Sequence, residues 1–187
     1  MPLLRSIAAV LAASLLGACA MFELVDEPKP GTPGQGLVRE GPSRAVLGAG
    51  VFDAYRESKP STEPGQTAAF QADLRYGRRL LGLGPAAGAM VNADGGIASF
   101  AGLYADFAVG YLMITPMLGA GAWFQNNSKD MGGTFLVRTE VDIAYVRDDG
   151  IRVGLRWGHL SNAYVYDDNP SQEDFMLTVA VPFGAAR

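Results

Sequence analysis

From residue 44 onward the chain alternates. Phe135, Val137, Val141, Ile143 and Tyr145 take every second place in one stretch, and Arg138, Glu140 and Asp142 stand between them. Side chains at i and i+2 of an extended strand share a face, so a period of two makes one wall apolar and the other charged. Segments of about ten residues with this pattern recur between clusters of turn-forming residues, and no long helical period interrupts them. The pattern predicts eight strands, over 44–57, 67–77, 80–91, 97–109, 111–123, 134–147, 150–162 and 173–183. An even number of this size closes a small antiparallel barrel.

The charged wall decides which side faces in. Gln71, Asp73, Arg75, Asp106, Arg152 and Arg156 lie on the polar face of their strands together with Arg138, Glu140 and Asp142, and in a narrow lumen the two signs neutralise one another. A lipocalin-like soluble barrel, apolar inside, is the alternative; it would need an outer surface of Arg and Asp alternating with Gly, which is thin cover in water. Strand five, with Leu112, Ile114, Pro116 and Leu118 opposite Tyr111, Met113 and Met117, is apolar on both faces and favours neither. Charge at 18% and 24 glycines suit a barrel bathed in lipid. The expected fold is therefore all-β: an eight-stranded antiparallel transmembrane β-barrel of the outer membrane. Tight links after strands two, four and six (Gly77-Arg78-Arg79, Gly110, Asp148-Asp149-Gly150) against longer ones after one, three, five and seven place both ends of the barrel in the periplasm. Fifteen basic against 19 acidic side chains leave a net charge of -4, so no nucleic-acid partner is expected, and nothing in the sequence specifies an oligomer.

Ahead of the barrel, Arg5, the apolar stretch Ile7 to Leu16 and the small residues Gly17-Ala18-Cys19-Ala20 have the anatomy of a signal peptide, expected over 1–19. The apolar stretch is far shorter than the roughly 20 residues a spanning helix needs. Leu16-Gly17-Ala18-Cys19 resembles a bacterial lipobox with Cys19 as the lipidated residue, while Ala18-Cys19-Ala20 also suits ordinary cleavage after Ala20; as the only cysteine, Cys19 has no disulfide partner within the chain. Residues 20–43, rich in Pro28, Pro30, Pro33, Pro42 and intervening glycines, read as a flexible tether, and 44–187 as the barrel domain.

Chemistry concentrates in strand seven. Ile151, Val153, Leu155, Trp157, His159 and Ser161 share the apolar, lipid-facing parity, so His159 and Ser161 are neighbours on one face, the proximity a general base needs to take a proton from a hydroxyl. Strand eight carries Phe175, Leu177, Val179, Val181 and Phe183 on the same side with Glu173 at the head, and the hairpin returns Glu173 beside them, where a carboxylate can orient an imidazole. Ionisable groups on a lipid-facing wall are costly and so are functional candidates. Each has a plainer reading: His159 as an interfacial residue at a strand end, Glu173 as one more solvated acid beside Asp167, Asp168 and Asp174. His159 is the only histidine, so no second one can serve as base or build a multi-histidine metal site. Trp123, Trp157, Tyr104, Tyr145 and Tyr164 read as interfacial belts rather than a cofactor site.

The stretch Trp157-Gly158-His159-Leu160-Ser161-Asn162-Ala163, followed by Asn169-Pro170, Glu173 and Val181-Pro182-Phe183, resembles the C-terminal signature of the PagL-type lipid A 3-O-deacylases, also called acyloxyacyl hydrolase-like. Leu118 to Trp123 and Phe135 to Arg138 are similar to further segments of that family. The family has a His-x-Ser-Asn core and a Glu twelve residues after the Ser, the separation of Ser161 and Glu173 here. The resemblance implies Ser161 as nucleophile, His159 as base, Glu173 as its orienting acid and Asn162 as an oxyanion donor, with no metal or organic cofactor. It also implies lipid A of lipopolysaccharide as the substrate and outer-membrane lipids as surroundings; independently, with both barrel ends in the periplasm, the hairpin between strands seven and eight points outward and the site is expected to face the outer leaflet. The family commonly has Gly after Ser-Asn-Ala, where this chain has Tyr164. Two other functions suit the same residues: a non-catalytic structural barrel, and a lipid esterase or phospholipase of different head-group choice.

Overall fold

A computed structural model describes residues 23–55 and 65–184. The expected signal peptide and Cys19 lie outside the described residues. Eleven strands form one sheet: β1 (Leu24–Val25), β2 (Gly34–Val38), β3 (Ser43–Phe52), β4 (Thr67–Arg75), β5 (Leu83–Asn92), β6 (Ile97–Ala105), β7 (Phe107–Gly110), β8 (Leu112–Phe124), β9 (Phe135–Val146), β10 (Arg152–Ser161) and β11 (Ser171–Phe183). The sheet runs antiparallel from β3 through β4, β5, β6, β8, β9 and β10 to β11, and β11 pairs back with β3, which closes an eight-stranded barrel.

Strands β6 and β7 are one strand with a gap. The pairs Tyr104–Met117 and Phe107–Ile114 keep a single register with β8. Between them stand Ala105 and Asp106 on one side, Thr115 and Pro116 on the other. Pro116 has no N–H to give the ladder, and the Asp106 carbonyl accepts from Val38 N–H at 2.8 Å instead.

That bond corrects the expectation of a flexible tether over 20–43. β2 pairs antiparallel with β7, β1 pairs parallel with β2, and Leu37 and Val38 are completely buried, Val38 against Ala108 and Met113. The proline-rich stretch therefore carries two short strands that complete the sheet where β5 does not reach. Glu27, between those strands, enters the barrel mouth and pairs with Arg44 and, at 2.9 Å, with Arg152. The link after β4 is also longer than Gly77-Arg78-Arg79 suggested. It spans 76–82, because Arg79 turns into the same mouth to meet Asp106 at 2.7 Å and the Val38 carbonyl at 3.1 Å.

The lumen is layered. Near the termini and through the middle it holds ion pairs: Arg152 with Asp106 at 2.9 Å, Arg156 with Asp73 at 2.7 Å and Asp142 at 2.9 Å, Arg138 with Glu140 at 2.8 Å and with Asp174. Toward the opposite end it turns apolar, with Phe52 stacked on Trp123 at 5.6 Å above Met90, Leu136, Leu160 and Met176. The outer wall carries the other parity: Leu47, Phe70, Leu155 and Leu177 are each at least 60% exposed, the surface that hydrocarbon covers in a membrane barrel.

Candidate active site

β10 and β11 place the site by register. His159 lies directly across from Glu173, and Ser161 from Ser171. Both His159 and Glu173 point outward, and His159 Nδ1 stands 3.1 Å from Glu173 Oε1. With Nδ1 engaged by the carboxylate, Nε2 is the ring nitrogen left to act as a base. Two residues further along the same face is Ser161, about 7 Å away from Cα to Cα. Although it belongs to the outward row, Ser161 is only 8% exposed. The three residues expected from parity thus share one wall, at the end of the barrel away from the described termini. On the other neighbour, β9, Thr139 pairs with His159 and Val137 with Ser161.

Behind this wall, Gly158 has a reason that the alternation did not reveal. A Cβ there would stand 2.3 Å from Arg138 Nη2 and 2.5 Å from Asp174 Oδ1. The Arg138–Asp174 ion pair, completely buried, occupies the space behind Gly158, between Trp157 and His159. Gln172 joins it, donating to Asp174 at 3.2 Å and accepting from Asp53 N–H at 3.1 Å.

Asn162 does something other than the resemblance implied. Its side chain is completely buried, Nδ2 donates to the carbonyls of Met131 at 2.9 Å and Asp168 at 2.8 Å, and Oδ1 accepts from Tyr164 N–H at 3.0 Å. Both amide hydrogens are committed, so the side chain has none left for an oxyanion. Asn162 instead ties the 125–134 loop to the 162–170 loop beside Ser161. No spacing in the sequence announces those partners, since both are backbone carbonyls on loops. The 162–170 loop is further held by Tyr166, whose hydroxyl accepts from Phe135 N–H at 2.9 Å. Its ring lies where a Cβ on Gly133 would otherwise be, at 2.2 Å.

Among the described residues, no three His, Cys, Asp or Glu side chains come together as a metal site. A recess of about 1030 Å³ opens at the other end of the barrel, lined by Glu27, Arg44, Arg78 and Asp149 among others. It mixes these charged groups with Pro28, Tyr76, Pro182 and Phe183, and it lies at the opposite end of β10 and β11 from His159 and Glu173. The candidate site lies on the outer wall, with the His159 and Glu173 side chains partly exposed and Ser161 nearly covered.

A closed barrel with an apolar outer wall, a charged lumen and an imidazole–carboxylate pair beside a serine on the lipid side defines a class: an outer-membrane barrel with a hydrolase-like site on its wall. The chain belongs to the lipid A 3-O-deacylase (PagL) family, which matches residues 55–182. It is thereby an outer-membrane protein of the lipid A deacylase class. The fold is similar to that in the crystal structure of the outer membrane enzyme PagL, with 15% identity and a TM-score of 0.52, over 75% of this chain and 99% of that one. A backbone structure of the Yersinia pestis outer membrane protein Ail in a phospholipid bilayer nanodisc matches at 12% identity and a TM-score of 0.47, over 76% and 100%. No curated protein matches the chain.

Proposed function

We propose that this protein removes the 3-O-linked acyl chain of lipid A, with Ser161 as nucleophile, His159 as base and Glu173 as the acid that orients it. The observation that carries the reading is the 3.1 Å contact between His159 Nδ1 and Glu173 Oε1 on the lipid-facing wall, in the same outward row as Ser161. Ser161 Oγ attacks the ester carbonyl while its proton passes to His159 Nε2, and Glu173 stabilises the imidazolium so formed. Collapse of the tetrahedral intermediate breaks the bond to the sugar oxygen, which leaves with that proton as a free 3-hydroxyl. Water, deprotonated by His159, then attacks the acyl-serine and frees the fatty acid and Ser161. Asn162 is a positioning residue that fixes the two loops beside the nucleophile. The site sits at the end away from the described termini, which supports an orientation toward the outer leaflet.

Mass spectrometry of lipid A from cells with the native protein, with Ser161→Ala and with neither tests the reading. Loss of one 3-hydroxyacyl group only with the native protein is expected. Unchanged lipid A with phospholipids that have lost an acyl chain points to a different head group, and no change in any lipid to a structural barrel. Incorporation of a labelled lipid precursor at Cys19 separates lipidation there from cleavage after Ala20.

A further inference from the structure

The turn that follows the nucleophile is strained. Val165 N–H donates to the Asn162 carbonyl at 3.1 Å, and the two residues inside that turn, Ala163 and Tyr164, both have positive φ, 53° and 57°. Two consecutive left-handed residues are the geometry of a turn that strongly favours Asn and Gly, and each non-glycine residue there carries a steric cost. The three hydrogen bonds of Asn162 hold the turn in this state. A strained residue beside a reactive group, maintained by its surroundings, points to a function for the side chain it presents.

That side chain is unusually open. Tyr164 is 67% exposed, Val165 49% and Tyr166 36%, three successive large side chains in a loop at the end of the barrel. Acids lie next to them in the chain, where exposed Asp167 and Asp168 follow directly, and Asp130 is exposed on the loop to which Asn162 is tied. Aromatic rings with a polar tip suit the boundary between lipid and water. The lip is thus apolar at its centre and anionic at its edge.

We propose that Tyr164 is a specificity-determining residue, its ring binding the uncharged part of an acylated sugar lipid, the saccharide ring and first methylenes of the chain whose ester meets Ser161. This rests on the lipid A reading above and adds the residue that selects the head group. The left-handed turn presents the exposed ring on the loop that Ser161 leads into.

The test uses the full-length protein in detergent micelles, with lipid A and the short ester p-nitrophenyl butyrate as substrates. Tyr164→Gly, which relieves the strain, is expected to raise the melting temperature yet lower the ratio of kcat/KM for lipid A to that for the short ester about tenfold, the scale of one aromatic contact. Tyr164→Phe keeps the native ratio. In a Ser161→Ala background, titration calorimetry should show Tyr164→Gly weakening lipid A binding to a similar degree. If native protein hydrolyses neither ester while lipid A binding still depends on Tyr164, the hydrolase reading falls and this inference stands. Ser161-dependent lipid A hydrolysis with an unchanged ratio and unchanged binding in Tyr164→Gly overturns this inference alone.

Discussion

Gly158 and Glu173 adjoin the same histidine and should fail in opposite ways. A methyl group at 158 meets Arg138 and Asp174, both completely buried and paired with each other, and neither can move without breaking a lumen ion pair. Gly158→Ala is therefore expected to destabilise the barrel by about 1–3 kcal/mol, the usual cost of overpacking, read by denaturant unfolding in micelles. Glu173 is 26% exposed at its side chain, and its partner His159 29%. A pair so open contributes at most about 1 kcal/mol to folding. Glu173→Gln should leave the unfolding midpoint nearly in place while cutting ester hydrolysis by about 10⁴-fold, the order lost when a triad acid can no longer orient its base. Equal losses of stability in the two variants, or full activity in Glu173→Gln, would refute this division. Parity made His159, Ser161 and Glu173 legible from sequence, because alternation alone puts them on one wall. The work of Gly158 and Asn162 was not, because it depends on the Arg138 guanidinium on another strand and on the loop carbonyls of Met131 and Asp168, which no periodicity marks.

At the scale of elements, the barrel strands were legible and the segment before them was not. β4, β8, β9 and β10 each fall within a residue or two of their expected ends, since each is long enough to show its period. β2 has five residues, and its apolar pair Leu37-Val38 is too short to alternate. Prolines and glycines around it suggest a linker, yet the bare edge of β7 captures it. Glu27 then becomes an inserted anion between two arginines. Removing one partner of a buried pair costs about 3–5 kcal/mol. In Glu27→Ala, however, Arg152 keeps Asp106, and Arg44 keeps the Gly150 carbonyl at 2.8 Å. The expected loss is correspondingly smaller, about 2 kcal/mol, with the residual cost falling on the unbalanced charge of the two arginines. Thermal unfolding followed by gel mobility checks it, and a midpoint equal to that of the native protein would mean the Glu27 ion pairs add nothing to the barrel.

For the whole molecule, the question is how a lipid reaches a wall whose inside is full of charge. Two routes exist in principle: down the lumen, or sideways through the membrane. The lumen route meets Phe52 stacked on Trp123 at one end, the ion pairs of Arg138, Arg156 and Arg75 in the middle, and Glu27 with Arg44 and Arg152 at the other. Eight strands leave an interior just wide enough for side chains to fill, and here side chains of both kinds fill it. His159 and Ser161 moreover face away from that interior. Lateral access thus needs no opening of the barrel, and the lumen serves as a rigid core that keeps β10 and β11 in register under the site. Protein reconstituted into a planar bilayer is accordingly expected to give no steady ion conductance. Removing apolar cover from the end near the site, as in Trp123→Ala, should cost about 3–5 kcal/mol of stability through the cavity it leaves. It should still open no channel, because the ion pairs below remain. Steady single-channel currents from the native protein would show the lumen to be a passage, and would return the first route to consideration.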